Sequence, residues 1–598
     1  MRGRDSFFHC AVIAAFLSIA AGQGARVYAQ TAQAATPAPA KYEVTIEYDA
    51  VAKMRDGVTL RADIYRPKAD GKFPVLLERT PYDKKGGRDW GMRGAARGYV
   101  VVIQDVRGRY ASDGGWYTFR NESNDGYDTV EWAAALPYAD AKVGMFGGSY
   151  VGATQFLAAI THPPHLAGIA PVVTASNYHD GWAYQGGALE QWFDQSWASG
   201  LTGDTLQHLS DHATNPLEWR NVLPLANFPM RGLPDVKKLA PYYADWLSHP
   251  SYDEYWKALS IEEHYSQIQV PVFNIAAWYD IFLGGSLRNY QLLKTKAGSE
   301  AARKGQRLLV ETGGHAGGPR KVGDVDFGEK ANWDEGGVVF DWYDAIFKGA
   351  SNEFSSGKPV RLFVMGRNEW RDEDDWPLAR ATATKYFLHS GGTANSTAGD
   401  GALTTQAPAA ESKDSFVYDP ANAVPTTGGP LCCRSDLLQP GARDQKEVEA
   451  RKDVLIYTTP ALEHDLEVTG PVTAELYVTS SAVDTDFTAK LVDVWPNGFA
   501  QNLTESILRM RYRDSQEKPE MAKPGTTYRI SVDLWATSNV FLAGHKIRLE
   551  ISSSNFPRFD RNLNTGEEQA HASRMLKATN AVLHDREHPS ALILPVVP

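Results

Sequence analysis

The ordered part of the chain begins at strand period. Residues 44–48 and 58–65 alternate apolar with polar side chains on either side of Asp56-Gly57, which predicts a hairpin of two half-buried strands. The pattern then changes. Residues 73–77, 99–103 and 143–146 are short continuous apolar runs, as expected of strands covered on both faces of a parallel sheet. Between the last two, residues 125–136 carry Tyr127, Val130 and Ala134 at helical spacing. Strands alternating with helices predict an α/β layer architecture.

From 171 to 268 the strand runs vanish and aromatic residues crowd together, among them Trp182, Tyr184, Trp192, Phe193 and Trp197; the span reads as a mostly helical insertion. Buried-strand runs return at 270–276 and 307–311, so the first sheet resumes and the insertion becomes a cap. Beyond 385, alternating runs such as 472–479, 486–494 and 546–552 follow one another without helical period, which predicts an all-β sandwich. The expected division is 42–170 with 269–384 for the α/β domain, 171–268 for the cap and 385–598 for the β domain.

The first residues have another character. Arg2 and Arg4, an apolar run over 11–21 and the small-x-small site Val27-Tyr28-Ala29 read as a signal peptide over 1–29, followed by a flexible leader over 30–41. An apolar run of this length falls short of the ~20 residues a membrane-spanning helix needs. The expectation is a secreted or periplasmic protein with no stable membrane span after cleavage; an uncleaved anchor is the other reading. The whole chain has 61 Lys+Arg against 72 Asp+Glu, a formal charge of −11, and no cationic run, which argues against a nucleic-acid partner. Of 3 cysteines, Cys10 leaves with the signal, and the adjacent Cys432 and Cys433 are either a vicinal disulfide or two free thiols. No Cys/His spacing suits zinc.

Candidate chemistry centres on Gly147-Gly148-Ser149-Tyr150-Val151-Gly152, which follows the apolar run ending at Phe146 and precedes a helix-like stretch at 153–160. Strand, glycine-rich turn and helix are the setting of a nucleophile elbow, although the second glycine stands three positions after the serine instead of two. A serine hydroxyl needs a base, and the base needs a carboxylate to fix its tautomer. Asp280 and His315 each stand just past the carboxyl end of a buried strand, in the order Ser, Asp, His expected of such a site. His162, His165, His179 and His264 remain alternatives for the base, and Asp324 or Asp326 for the acid. The N–H of Tyr150 supplies one oxyanion donor by the geometry of the elbow; Tyr82, after the 73–77 strand, is either a second donor or a packed turn residue.

Several motifs together make the chain similar to a known family: T-P-Y-D (80–83), D-V-R-G-R-Y with S-D-G (105–114), D-G-Y-D-T-V-E-W (125–132), G-G-S-Y-V-G, W-Y-D (278–280) and the long run 544–566. It resembles the CocE/NonD hydrolases, which include cocaine esterase, glutaryl-7-aminocephalosporanic acid acylase and α-amino-acid ester hydrolase, and are related to X-Pro dipeptidyl-peptidases. The resemblance implies an α/β-hydrolase domain, a helical cap and a C-terminal jelly roll. It implies Ser149 as nucleophile, Asp280 as acid, His315 as base, and Tyr82 with the Tyr150 N–H as oxyanion hole. It also implies a small-molecule ester or amide substrate, an acyl-enzyme intermediate and no metal or organic cofactor. Members that act on α-amino esters hold the substrate ammonium with carboxylates just after the triad acid, where this chain has Ile281, Phe282 and Leu283. That departure disfavours a free α-amine. Trp182, Tyr184, Trp192 and Trp278 are the candidate substrate-binding residues, and Asp180, Glu190 or Asp194 the candidate cation holders. Whether the chain acts as a monomer or a homo-oligomer is open at this level.

Overall fold

A computed structural model describes residues 41–209, 236–315, 318–568, 572 and 574–598. The signal read over 1–29 and nearly all of the leader at 30–41 lie outside the described residues. The predicted hairpin is β1 (Val44–Lys53) with β2 (Thr59–Pro67), paired antiparallel, and Gly57 takes φ +89° at its turn. The unbroken apolar runs become β3 (Phe73–Thr80), β4 (Val100–Asp105) and β5 (Ala139–Gly148), with α1 (Arg88–Ala96) and α2 (Glu122–Ala134) between them and α3 (Tyr150–Ala159) after. β6 (Leu166–Val172) was not evident from the pattern, because Gly168 and Pro171 interrupt its apolar run.

The span that follows holds a two-residue hairpin, β7 (Tyr184–Gln185) and β8 (Ala188–Leu189), then α4 (Gln191–His208) and shorter helical turns. The sheet resumes with β9 (Phe273–Tyr279), after which come α5 (Leu283–Lys296) and β10 (Arg307–Gly314). A small hairpin, β11 (Lys321–Val322) with β12 (Val325–Asp326), precedes α6 (Glu335–Lys348), β13 (Val360–Val364) and β14 (Glu369–Glu373). The sheet order is β1-β2-β4-β3-β5-β6-β9-β10-β13-β14, with every pairing from β4 to β13 parallel. This is an α/β-hydrolase-like layer arrangement, and it puts the carboxyl ends of β5, β9 and β10 on one rim, where open parallel sheets place their sites. Close packing fixes the layers. A Cβ on Gly144 would stand 2.3 Å from the Tyr343 ring of α6, and one on Gly126 of α2 would stand 2.6 Å from Ala158 Cβ of α3.

The C-terminal part is β-rich, an eleven-stranded, mostly antiparallel sheet that begins at Thr382–His389 and ends at Ala591–Val597. One apolar core joins it to the first sheet, with Trp278, Leu362 and Phe363 packed among Leu388, Leu476, Leu534 and Leu549. The 544–566 motif reaches back toward α4. The Arg558 guanidinium donates to Glu505 Oε1 and Gln185 Oε1, both at 2.9 Å, and the Arg558 carbonyl accepts from the Trp192 N–H at 3.3 Å. Asp560 accepts from the Leu189 N–H at 2.8 Å and from Arg509. The β-rich part therefore anchors the base of α4, and α4 reaches the functional rim.

Candidate active site

Ser149 occupies the turn between β5 and α3 with φ 62° and ψ −125°, a conformation costly for a side-chain-bearing residue and characteristic of strained functional turns. The flanking glycines explain how the chain reaches it. Gly147 takes φ +116° and a Cβ there would meet Val151 at 2.4 Å, while a Cβ on Gly152 would meet Thr174 at 2.7 Å, so α3 approaches its neighbours through bare backbone. The turn is held by the Ser149 N–H on the Val172 carbonyl at 2.9 Å and by Thr174 Oγ1 donating to the Ser149 carbonyl at 2.9 Å. The α3 N-terminus directly follows Ser149, and its partial positive charge favours an anion there.

The rim brings the other two groups to this serine. His315 Nε2 lies 2.9 Å from Ser149 Oγ, and His315 Nδ1 lies 2.7 Å from Asp280 Oδ2. The second Asp280 oxygen accepts the Phe282 N–H at 2.7 Å, so both carboxylate oxygens are engaged. Asp280 is fully buried and His315 nearly so. Such an arrangement holds Nδ1 protonated and leaves the Nε2 lone pair facing the hydroxyl.

Tyr82 stands over the serine. Its oxygen accepts the Trp197 Nε1–H at 2.9 Å and its hydroxyl interacts with Ser149; burial pushes the phenol up to about 12, so it keeps its proton at neutral pH. Its loop is fastened from behind. Buried Arg109 donates through Nε to the Pro81 carbonyl and through Nη1 to the Leu201 carbonyl of α4, both at 3.1 Å, and Asp105 Oδ1 accepts the Lys84 N–H at 2.7 Å. Tyr150 opens α3, where helix geometry leaves its N–H without an acceptor inside the helix, while its hydroxyl donates to Glu122 Oε1 at 3.0 Å.

A packed apolar cluster flanks these groups. Phe282 meets the His315 ring edge-on at 5.1 Å and stacks on Trp182 at 4.5 Å. Phe193 and Trp197 of α4 approach Trp182 at 5.5 and 5.7 Å. Of the four expected substrate-binding residues, the structure thus brings Trp182 to the site and sets the other three elsewhere. Tyr184 stacks on His179 at 4.9 Å and donates to the Trp246 carbonyl. Trp192 lies at the Arg558 end of α4. Trp278 turns to the opposite side of β9, donates to the Phe363 carbonyl at 2.8 Å and packs near Trp376.

The alternatives for base and acid also lie elsewhere. His165 pairs with Glu131, His179 with the Pro250 carbonyl and His264 with Gln267, while His162 is exposed; Asp324 pairs with Arg443 and Asp326 with Arg320. The candidate cation holders have their own balance. Asp180 and Glu190 lie 3.9 and 3.6 Å from Arg288 and Arg558. Asp194 is fully buried with neither carboxyl oxygen hydrogen-bonded among the described residues, and burial, reinforced by Glu190, pushes it well above the usual carboxylate range. Cys432 and Cys433 are joined in a vicinal disulfide.

Residues 56–317 match the family described as X-Pro dipeptidyl-peptidase (S15 family), and 352–593 match the X-Pro dipeptidyl-peptidase C-terminal non-catalytic domain. Cocaine esterase of Rhodococcus sp. (strain MB1 Bresler) is 39% identical over 571 residues, covering 91% of this chain and 97% of that protein. A crystal structure of an aminopeptidase from a marine sediment archaeon, Thaumarchaeota archaeon, superposes with TM-score 0.79 at 25% identity over 96% of this chain and 99% of its own. A CocE/NonD family hydrolase from Staphylococcus aureus shares the fold at TM-score 0.67 and 18% identity, over 92% of this chain and 93% of its own.

Proposed function

Because the chain belongs to the CocE/NonD family of hydrolases, we propose that it is a serine hydrolase of acyl esters or amides with Ser149, His315 and Asp280 as its triad. The observation that carries the reading is the pair of contacts on one imidazole, 2.9 Å to Ser149 Oγ and 2.7 Å to Asp280 Oδ2. His315 Nε2 takes the hydroxyl proton as Oγ attacks the substrate carbonyl, and Asp280 stabilises the imidazolium that forms. The oxyanion receives the Tyr82 hydroxyl and the Tyr150 N–H. Collapse expels the alcohol or amine, protonated by His315. Water, deprotonated by the same nitrogen, then releases the acid from Ser149. Every step uses side chains or backbone of this chain.

Residues 171–268 act in this reading as a cap whose Phe193, Trp197 and Trp182 form the acyl slot, and the β-rich part is a jelly roll that steadies α4. A relative named for cocaine supports an ester with a bulky acyl or alcohol group. The apolar Phe282 and the Arg-paired Asp180 and Glu190 weigh against a free α-amine, the feature an aminopeptidase requires. The signal-peptide reading of 1–29 supports export, and the Cys432–Cys433 disulfide supports an oxidising compartment.

The test is pre-steady-state kinetics on p-nitrophenyl esters beside aminoacyl p-nitroanilides. An initial release of one p-nitrophenol per chain, abolished in Ser149→Ala, is the expected result. Turnover restricted to substrates with a free α-amine would overturn the acyl-slot reading, and an undiminished burst in Ser149→Ala would overturn the nucleophile.

A further inference from the structure

The two cysteines bear directly on the acyl slot. Cys432 is nearly buried in the same apolar cluster as Tyr150, Trp182, Phe193, Trp197 and Phe282, and the partly exposed Cys433 packs against that cluster. Ser196, between Phe193 and Trp197 on α4, directs its hydroxyl at the Cys432 carbonyl at 3.4 Å. The loop bearing the pair is closed at its base by the reciprocal backbone bonds of Gly429 and Gly441 at 2.8 and 2.9 Å. Just beyond, the Ala442 carbonyl accepts the Asp324 N–H at 2.8 Å, in the turn between β11 and β12 that follows His315. The loop therefore spans from α4 to the segment after the base, and the Cys432 carbonyl is where α4 meets it, through Ser196. Cys433 takes φ 81°, in the left-handed region that side-chain-bearing residues seldom hold without a constraint.

We propose that Cys432–Cys433 is a thiol-exchange site that sets the shape of the acyl slot, with a low-molecular-weight thiol as its reagent. The inference rests on the serine-hydrolase reading of that slot. A thiolate attacks the sulfur of the partly exposed Cys433, forming a mixed disulfide and expelling Cys432 as thiolate. A second thiolate attacks the small thiol's sulfur in that mixed disulfide, releasing the free disulfide and the Cys433 thiolate. The two cysteines take up the two protons that the two thiols lost, and two electrons pass to the protein. Once the link is gone, Cys433 is free to leave positive φ, the loop withdraws from α4, and the wall that supported a bulky acyl group is lost.

The test uses the mature protein, reduced with dithiothreitol, desalted anaerobically and compared with the oxidised form on p-nitrophenyl acetate and p-nitrophenyl benzoate. Two titratable thiols appear, KM for the benzoate rises about tenfold, the size of a lost apolar contact in a pocket, and KM for the acetate stays within about twofold. Oxidised glutathione reverses the change. The double variant Cys432→Ala with Cys433→Ala shows the reduced profile and ignores dithiothreitol. Failure of any thiol to appear in the folded protein, or two thiols with an unchanged benzoate KM, would overturn the inference alone. Absence of ester turnover in both redox states would overturn the hydrolase reading and this inference with it.

Discussion

Replacing Tyr82 by Phe removes one hydroxyl and separates its observed contact with Trp197 from its proposed role in the oxyanion hole. The first is structural: the buried Trp197 Nε1–H loses the acceptor it now finds at 2.9 Å, which costs about 1–3 kcal/mol of stability for an unsatisfied buried donor. The second is the proposed catalytic role. One of the two proposed oxyanion donors disappears, and such a loss lowers kcat about 10²–10³-fold, or roughly 2.7–4 kcal/mol of barrier. The substrate carbonyl in the ground state gains less from the donor than the tetrahedral oxyanion does, so kcat carries the loss and KM moves little. Because burial holds the phenol at about 12, it stays a donor across neutral pH and adds no titration step of its own there. The assay is steady-state hydrolysis of p-nitrophenyl acetate with urea unfolding of the same preparations. A second variant, Tyr82→Phe with Trp197→Phe, removes the stranded indole donor and recovers stability without recovering kcat. A kcat within about threefold of wild type, or a loss confined to KM, would refute the oxyanion role, since a packed turn residue has no reason to act on the chemical step alone.

Phe282→Leu, which removes the ring lying between His315 and Trp182, raises KM for aromatic acyl esters about tenfold while acetate KM changes less than about threefold; equal effects on both esters would contradict the slot. Asp194→Asn probes a carboxyl whose protonated form burial favours. The folded-state value is raised above the ordinary 3.8, so its contribution to stability is full below that pH and is lost as pH rises toward the folded value. The thermal midpoint of the variant should match wild type near pH 3.5 and exceed it at pH 7–8, and a gap independent of pH would show that Asp194 is charged or solvated in the folded state. Gly126→Ala drives a methyl to 2.6 Å from Ala158 Cβ and costs about 1–3 kcal/mol in urea unfolding, with rescue by Ala158→Gly; an unchanged midpoint would mean that α2 and α3 are not in this contact.

The sequence made the parallel strands legible wherever their apolar runs were unbroken, and it placed Asp280 and His315 correctly relative to the ends of β9 and β10. β6 stayed hidden because Gly168 and Pro171 divide it, and β13 with the edge strand β14 lies outside the predicted runs. The slot was harder to read. Trp192 and Phe193 are neighbours in sequence, yet one helical residue turns about 100°, so only Phe193 meets Trp182. Trp278 precedes the Asp280 segment but faces the other side of its strand, toward Trp376, and no local pattern reveals which face of a doubly covered strand borders the site. Tyr82 was ambiguous from its own surroundings because its partner, Trp197, lies 115 positions away on α4. The same holds for Cys432, whose carbonyl meets Ser196, 236 positions away on α4.

The proposed chemistry turns on Ser149 being the group that His315 activates. The direct measurement is peptide mapping by mass spectrometry after treatment with a fluorophosphonate, on wild type and on His315→Ala. One adduct per chain on Ser149, formed in minutes by wild type and at least about 10³-fold more slowly without the imidazole, is the predicted result. A well-folded wild type that takes no label, takes it on another residue, or labels equally fast without His315 would contradict the account.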